Sequence, residues 1–140
     1  MTGYAQSYRV NLAIMYTFKK EERLCNKKLI DGLYHNGSSF LCYPYKVSWA
    51  FIETAPAPAQ VVFGVPKKRY KRAVDRNLIK RRMREAYRLH KQQFLYDLLT
   101  ERNQHIALSL VYVGTEILAY DFIEKKMLKM FIQLAEALQK

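Results

Sequence analysis

The sequence predicts an α+β fold in which helices pack on a small four-stranded sheet. Apolar residues recur at helical spacing near both ends of the chain and at alternate positions between residues 40 and 65. The apolar run HIALSLVYVG (residues 105–114) separates two helical segments, which is typical of a central strand. The predicted order is helix, three strands, helix, strand, helix: a two-layer α/β sandwich with helices covering one face of the sheet.

Length and composition indicate one folded domain. The chain has 140 residues and half of them are apolar, which suffices for one hydrophobic core and not for two. Residues 1–17 show no packing period, so we expect a flexible tail there and a single domain over residues 18–140. Met15, just before that domain, is a second candidate for the translation start besides Met1.

Several classes of protein are disfavoured. The two cysteines, Cys25 and Cys42, have no metal-ligand spacing with each other or with the three histidines. No apolar stretch reaches the roughly 18 residues that a transmembrane helix needs, and no signal peptide is recognisable. We therefore expect a cytoplasmic protein with reduced thiols and with neither a membrane nor a small-molecule partner.

The first helix is predicted over residues 27–36. Its apolar and aromatic residues share one helical face: Leu29, Ile30, Leu33 and Tyr34. Asn26 is a suitable N-cap because its side chain can accept hydrogen bonds from the first backbone N–H groups, and Gly37 is a suitable terminator.

Three strands are predicted next. In FLCYPYKVSWAFIE (residues 40–53) apolar and aromatic side chains occupy alternate positions: Leu41, Tyr43, Tyr45, Val47, Trp49 and Phe51. Pro44 cannot donate to a strand ladder, so we expect a short strand before it and a longer one after it. TAPAPAQ is then a loop, and VVFGV (residues 61–65) is the third strand.

A second helix is predicted over residues 75–99, before the apolar strand, and a third follows that strand. The third helix has one apolar stripe: Ile123, Met127, Met130, Phe131, Leu134 and Leu138. A stripe of this kind indicates a face that packs on the core rather than a functional site.

The net charge of +12 is concentrated in the second helix and the loop before it. Residues 67–91 contain twelve basic and two acidic residues, which leaves only about +2 for the rest of the chain. Five cations follow one another at intervals of four: Arg72, Arg76, Lys80, Arg84 and Arg88. Each like-charge pair at this spacing costs about 0.2–0.5 kcal/mol in a helix unless an anion neutralises it. A nucleic acid does so and releases its counterions, which favours nucleic-acid binding over a solvated face.

The arrangement of these cations on the helix distinguishes between possible modes of binding. On a helical wheel Ile79, Met83, Ala86 and Tyr87 form the packing face. An adjoining sector holds the polar side chains Lys80, Arg84, Asn77, Arg88 and Arg81. A membrane-surface helix would need a wide exposed apolar face, and a helix-turn-helix would need a preceding helix rather than strands. The sequence therefore predicts a cationic stripe that binds RNA or DNA backbone.

The segment VPKKRYKRAVDRNLIKRRMREAYR (residues 65–88) resembles the signature of the bacterial ribonuclease P protein component. That family shows K-K before a short loop, then A-V, R-N-R, I-K-R and a further Arg. The matching residues are Lys67, Lys68, Ala73, Val74, Arg76, Asn77, Ile79, Lys80, Arg81 and Arg84. The likeness extends over most of residues 18–140, including the segment FKKEERL. Leu78 departs from the third position of R-N-R, and on the wheel we expect it to be exposed.

The resemblance implies an α/β sandwich with a left-handed crossover through the basic helix, against the general preference. It also implies a protein subunit of ribonuclease P, in which a catalytic RNA with bound Mg²⁺ removes the 5′ leader of precursor tRNA. The partners would be that RNA and precursor tRNA. The cationic stripe and the resemblance together predict the RNA-binding residues: Lys67, Lys68, Arg72, Arg76, Asn77, Lys80, Arg81, Arg84 and Arg88.

The resemblance further implies a cleft for the leader between the first helix and the sheet. By family position Ile30, Tyr34 and one of Tyr43 or Tyr45 would line it, and Phe40 is a further aromatic candidate. An exposed ring can stack on a base, which is worth about 1–3 kcal/mol with little sequence preference.

Two other functions stay open at this point: a structural ribosomal-type RNA-binding protein and a free-standing ribonuclease. A protein nuclease that uses metal ions needs clustered carboxylates, and the basic region contains only Asp75 and Glu85. We therefore predict no catalytic residue and no metal ligand in the protein, with hydrolysis carried out by the RNA.

Overall fold

The computed structural model describes residues 17–139, which form a four-stranded sheet with helices. The elements are a 3-10 turn (Lys20–Glu22), α1 (Lys27–Asn36), β1 (Ser38–Cys42), β2 (Tyr45–Ile52), β3 (Ala59–Gly64), α2 (Ala73–Lys91), a π-helical turn (Gln92–Tyr96), α3 (Asp97–Arg102), β4 (His105–Tyr112) and α4 (Tyr120–Leu138). The α+β class and the predicted order are confirmed. The predicted tail, apart from Thr17, lies outside the described residues.

The strands are arranged in the order β1-β2-β4-β3. β4 is central, as its unbroken apolar sequence predicts; it pairs antiparallel with β2 and parallel with β3. Because a parallel pair cannot be joined by a tight turn, the chain must cross over between β3 and β4, and α2 makes that crossover.

The main core lies between one face of the sheet and the helices α2 and α4. The predicted packing face of α2 is fully buried there: Ile79, Met83, Ala86 and Tyr87. The predicted stripe of α4 is buried with it: Ile123, Met127, Met130, Phe131, Leu134 and Leu138. For both helices the apolar period predicts the buried side chains correctly.

The first helix packs on the other face of the sheet. A second, smaller cluster contains the buried residues Leu24, Leu33 and Ala107. Ala107 lies between Ile106 and Leu108, which belong to the main core, and successive strand residues point to opposite faces. The expectation that helices cover one face holds for α2 and α4 and is wrong for α1, because an apolar helix face does not indicate which side of a sheet receives it.

The hairpin at Pro44 corrects the predicted alternation. Three residues of the predicted series are exposed: Leu41, Tyr43 and Phe51. Cys42 pairs with Tyr45 across a two-residue turn, and directly opposed residues share a face of the sheet. Cys42 therefore faces the core, whereas Leu41 and Tyr43 do not.

The basic helix is interrupted where one continuous helix was predicted. α2 ends at Lys91, five residues form the π-helical turn, and α3 continues to Arg102. Asn103 then adopts a left-handed conformation (φ 53°), which ends the helix. No helix within residues 17–139 is long and apolar enough to cross a membrane.

Candidate nucleic-acid interface

The residues predicted to bind RNA line one side of α2 and the loop before it. Six of the nine are exposed: Lys67, Lys68, Arg72, Asn77, Arg81 and Arg84. The other three are half-buried: Arg76, Lys80 and Arg88. The stripe is accessible along more than half of the helix, beside the face that packs on the sheet.

The loop before α2 holds Lys67 and Lys68 at an exposed tip. Its backbone turns tightly, with the Tyr70 N–H donating to the Pro66 carbonyl at 3.2 Å. The Tyr70 side chain is buried and its hydroxyl donates to the Gly114 carbonyl at 2.7 Å. The loop is thereby anchored to the connection between β4 and α4, so both lysines have a defined position.

Arg76 has a structural contact in addition to its predicted role. Its guanidinium Nη1 donates to the carbonyl oxygens of Tyr70 and Lys71, each at 2.8 Å. These bonds join the first turn of α2 to the end of the loop that carries the two lysines. Replacing Arg76 would therefore disturb the loop as well as any RNA contact, which the sequence did not reveal.

Arg88 is paired with an acid of its own helix. Its guanidinium makes two hydrogen bonds to Glu85, at 3.1 Å from Nε and 2.6 Å from Nη2. The hydrogen bond from Arg88 holds the pKa of Glu85 below its ordinary value. Arg88 is thus partly neutralised before any ligand arrives.

A basic depression lies where α2 approaches the outer edge of β3. Its volume is about 250 Å³, and its cationic lining consists of Arg23, Lys80 and Arg84. The rings of Phe18 and Phe63 form part of its wall, with their centroids 6.1 Å apart. Three cations beside apolar rings can hold a phosphate and its neighbouring base or sugar.

Arg23 is a residue that the sequence reasoning did not assign. It belongs to the segment FKKEERL, and its backbone forms a parallel bridge with Val61 of β3. The available signal was the presence of this basic segment in the family resemblance. Only the fold shows that Arg23 lies beside cations more than fifty residues away in sequence.

Leu78 is half-buried, so the expectation that it is exposed is wrong. It lies on the same flank of α2 as Arg82, four residues on. The Arg82 guanidinium donates to the Leu118 carbonyl at 2.5 Å, so this flank faces the connection between β4 and α4. Leu78 is therefore outside the cationic stripe.

The end of α1 is fixed to the sheet by a side-chain hydrogen bond. The Tyr34 hydroxyl lies 3.0 Å from the hydroxyl of Ser109, which is buried in β4. The Tyr34 side chain is still 54% exposed, so its ring forms an accessible wall beside the sheet. Ile30, one turn earlier, is half-buried against the smaller cluster.

Two of the predicted cleft residues lie on the wrong face of the sheet. Tyr45 is fully buried in the main core, where its hydroxyl donates to the Ile123 carbonyl at 2.7 Å. Phe40 packs against the same core. Both predictions are corrected, because strand alternation places these side chains opposite α1. Tyr43, at the exposed hairpin tip, is 46% exposed and stays available.

Among residues 17–139, no helix covers the α1 face of the sheet beyond Tyr34, and this part is called the open sheet face. One row of residues crosses all four strands: Leu41, Lys46, Val111 and Gly64. Leu41 and Lys46 are exposed, and the row ends at Gly64, three residues before Lys67. Leu41 and Lys46 were not predicted as site residues; the available signal was a single lysine within an apolar strand.

Metal-ligand geometry is absent from the described part of the chain. Within residues 17–139, no three histidine, cysteine, aspartate or glutamate side chains come together in a way that could hold a metal ion.

Fold and site together define a small α+β protein whose crossover helix presents a cationic stripe beside a basic depression and an open sheet face. The chain belongs to the ribonuclease P protein family: the sequence profile described as Ribonuclease P matches residues 18–133. A Ribonuclease P protein component of Porphyromonas gingivalis is 35% identical over 121 residues, covering 86% of this chain and 88% of the relative. One of Chlorobium phaeobacteroides is 35% identical over 107 residues, covering 70% and 73%.

Solved structures of bacterial RNase P proteins share the fold. The Staphylococcus aureus protein superimposes with a TM-score of 0.65 at 20% identity, covering 83% of this chain and 96% of that one. The Thermotoga maritima protein gives a TM-score of 0.64 at 16% identity, covering 80% and 96%. The family membership indicates a protein subunit of ribonuclease P and does not favour the ribosomal-type alternative.

Proposed function

We propose that this chain binds the catalytic RNA of ribonuclease P through the cationic side of α2 and holds the 5′ leader of precursor tRNA on the open sheet face beside α1. It would do so in the cytoplasm. The observation that carries the proposal is the set of accessible cations without acidic partners. Within residues 17–139, the basic side chains of α2 that contact a carboxylate are only Arg88, His90 and Lys91.

The depression lined by Arg23, Lys80 and Arg84 is the proposed binding site for one RNA phosphate. Arginine forks match phosphate oxygens, and such contacts are strongest where other groups limit access of water. The exposed Lys67, Lys68, Arg72 and Arg81 would extend the contact along the backbone. Backbone contacts fix position without reading sequence.

The leader would lie over the uncovered row of the sheet. Tyr34 offers a ring on one side and Tyr43 another at the hairpin tip, while Lys46 supplies a positive charge on the floor. A single strand is held in such a groove by stacking and charge together. The row leads toward Lys67 and Lys68, so leader and catalytic RNA would meet at the start of α2.

In this proposal the RNA subunit would hydrolyse the phosphodiester, and Mg²⁺ held mainly by the RNA would supply Lewis-acid chemistry. The protein contributes cations that lower the repulsion between two RNA molecules. Its own residues take no chemical step.

The decisive experiment mixes the protein with a catalytic RNA of this family and precursor tRNA at low Mg²⁺. We expect the protein to restore leader removal, and a Lys80→Ala, Arg84→Ala variant to restore much less. Cleavage by the protein without the RNA would support a free-standing ribonuclease. Equal affinity for an unrelated structured RNA, without rescue, would support the ribosomal-type alternative.

A further inference from the structure

A buried ion pair joins two parts of the chain that the proposed function leaves unconnected. Glu22 and Lys91 are 6% and 2% exposed, and their side chains are paired. Lys91 also donates to the Thr17 carbonyl. The carboxylate of Glu22 accepts two further hydrogen bonds, from the Tyr96 hydroxyl at 2.6 Å and from the Lys19 N–H at 2.7 Å.

A gain in folding stability does not by itself explain why these two charges are buried. Removing two charges from water is costly, and apolar replacements of similar size often leave a protein equally stable. A fully satisfied buried network does, however, restrict its members to one arrangement, because any other leaves a buried charge unpaired. The main consequence of the pair is therefore the position that it imposes on the two chain segments that it joins.

The π-helical turn brings two donors to the same carboxylate. Lys91 and Tyr96 are five residues apart, and in a regular α-helix they would be about 140° apart around the axis. In the wider π-helical turn the backbone hydrogen bonds join residues five apart, which brings such residues closer to the same side of the helix. The Lys91 Nζ accordingly lies 5.2 Å from the centroid of the Tyr96 ring, and both groups reach Glu22.

The other end of the pair belongs to residues 17–25, here called the N-terminal strap. Contacts with β3 flank Glu22 on both sides: Gln60 donates to the Glu21 carbonyl at 3.0 Å, and the Leu24 N–H donates to the Val61 carbonyl at 2.9 Å. Arg23 directly follows Glu22 and lines the basic depression.

The pair therefore connects Arg23 to the helix that carries its partner cations. Lys91 lies eleven residues after Lys80 on α2, about 16 Å along the helix axis. The Lys91 Nζ also lies 5.3 Å from the centroid of the Phe18 ring, which packs edge-on against Tyr87. The strap is thus held to α2 by charge and by aromatic packing.

We propose that Glu22 and Lys91 are positioning residues for RNA binding: their pair fixes the N-terminal strap so that Arg23 joins Lys80 and Arg84 at one phosphate. The proposal rests on the proposed RNA-binding function. In this proposal the pair affects RNA affinity through the position of Arg23.

The test is a double-mutant cycle between the pair and Arg23. The pair is removed as Glu22→Gln with Lys91→Met, which leaves no unpaired buried charge, and is combined with Arg23→Ala. Affinity for the catalytic RNA is measured against salt concentration, and thermal unfolding reports folding. We expect Arg23→Ala to make the log–log salt slope shallower by about 0.7–0.9, and the pair variant to lose a similar amount. The combination should lose no more than either alone.

A matched control is His90→Gln with Glu124→Gln. This pair starts one residue before Lys91 on α2 and joins the helix to α4 at 3.1 Å, and among the described residues it makes no hydrogen bond or ion pair with the strap. We expect it to leave the salt slope unchanged. If removal of the Glu22–Lys91 pair impairs folding, Glu22→Asp keeps the charge but withdraws the carboxylate by about one bond length, and should also make the slope shallower.

Several outcomes would overturn the inference. A folded pair variant or Glu22→Asp variant with the original slope would show a purely structural pair, as would losses that simply add to that of Arg23→Ala. If Arg23→Ala has no effect while Lys80→Ala with Arg84→Ala weakens binding, the inference fails and the proposed function stands. If none of these cations matters, the proposed function itself fails.

Discussion

The middle and the end of α2 both carry cations, but these cations have different partners. In the middle of the helix, Lys80, Arg81 and Arg84 have no acidic partner within residues 17–139. Toward its end, Arg88 is paired with Glu85 on the surface and Lys91 with Glu22 in the interior. Unpaired cations repel one another unless an external anion binds, whereas paired cations are already neutralised by carboxylates of the protein. The limits of the proposed RNA-binding surface are therefore set by which cations have an acidic partner, and not by the number of positive charges.

The largest expected effect is a loss of stability when the buried Lys91 is replaced. Lys91→Met leaves the Glu22 carboxylate buried without its cation, which typically costs about 3–5 kcal/mol of unfolding free energy. Urea unfolding at pH 7 measures it. The Glu22→Gln, Lys91→Met protein should recover most of the loss, and a single variant as stable as the original would contradict a buried charge at Glu22.

Substitution of the unpaired cations of α2 should change the affinity for RNA and not the stability of the fold. Replacing Lys80, Arg81 and Arg84 together by Ala removes up to three phosphate contacts, so the log–log salt slope should become shallower by about 2–3. The free energy of unfolding should change by no more than about 0.5 kcal/mol, since the side chains leave no buried group unsatisfied. An unchanged slope would falsify the assignment of this surface.

A substitution on the open sheet face should weaken the binding of precursor tRNA and not that of mature tRNA. Tyr34→Ala should weaken binding of precursor tRNA to the assembled enzyme by about 1–3 kcal/mol, the value of one stacked base. Mature tRNA, which has no leader, should bind as before. Tyr34→Phe keeps the ring and loses only the Ser109 contact, so it should bind both almost normally. Equal losses for both tRNAs would mean that Tyr34 supports the fold and not the leader.

The smallest effect is expected at the surface pair. Arg88→Gln should lower stability at pH 7 by about 0.3–0.5 kcal/mol, because the pair is exposed and screened. Arg88 lowers the folded-state pKa of Glu85, so this contribution is present above the ordinary pKa of a glutamate and disappears as pH falls through the lowered value. Unfolding of both proteins across that range measures it; a difference that persists in acid would contradict the pairing.

The sequence alone determined the features that depend on neighbours along the chain. The bounds of α1 and its Asn26 cap, the buried stripe of α4 and the packing face of α2 follow from helical periodicity, and all agree with the structure. The cationic stripe follows in the same way, since residues four apart on a helix share a side regardless of the rest of the fold.

Only the tertiary structure decided which distant groups meet. It placed α1 on the second sheet face, put Tyr45 in the core and left Tyr43 at the surface, because hairpin register and not alternation alone decides which residues share a face. It brought Arg23 to Lys80 and paired Glu22 with Lys91 across 69 residues. Local periodicity describes how a segment divides its own surface; the partner of each surface is chosen by packing over the whole chain.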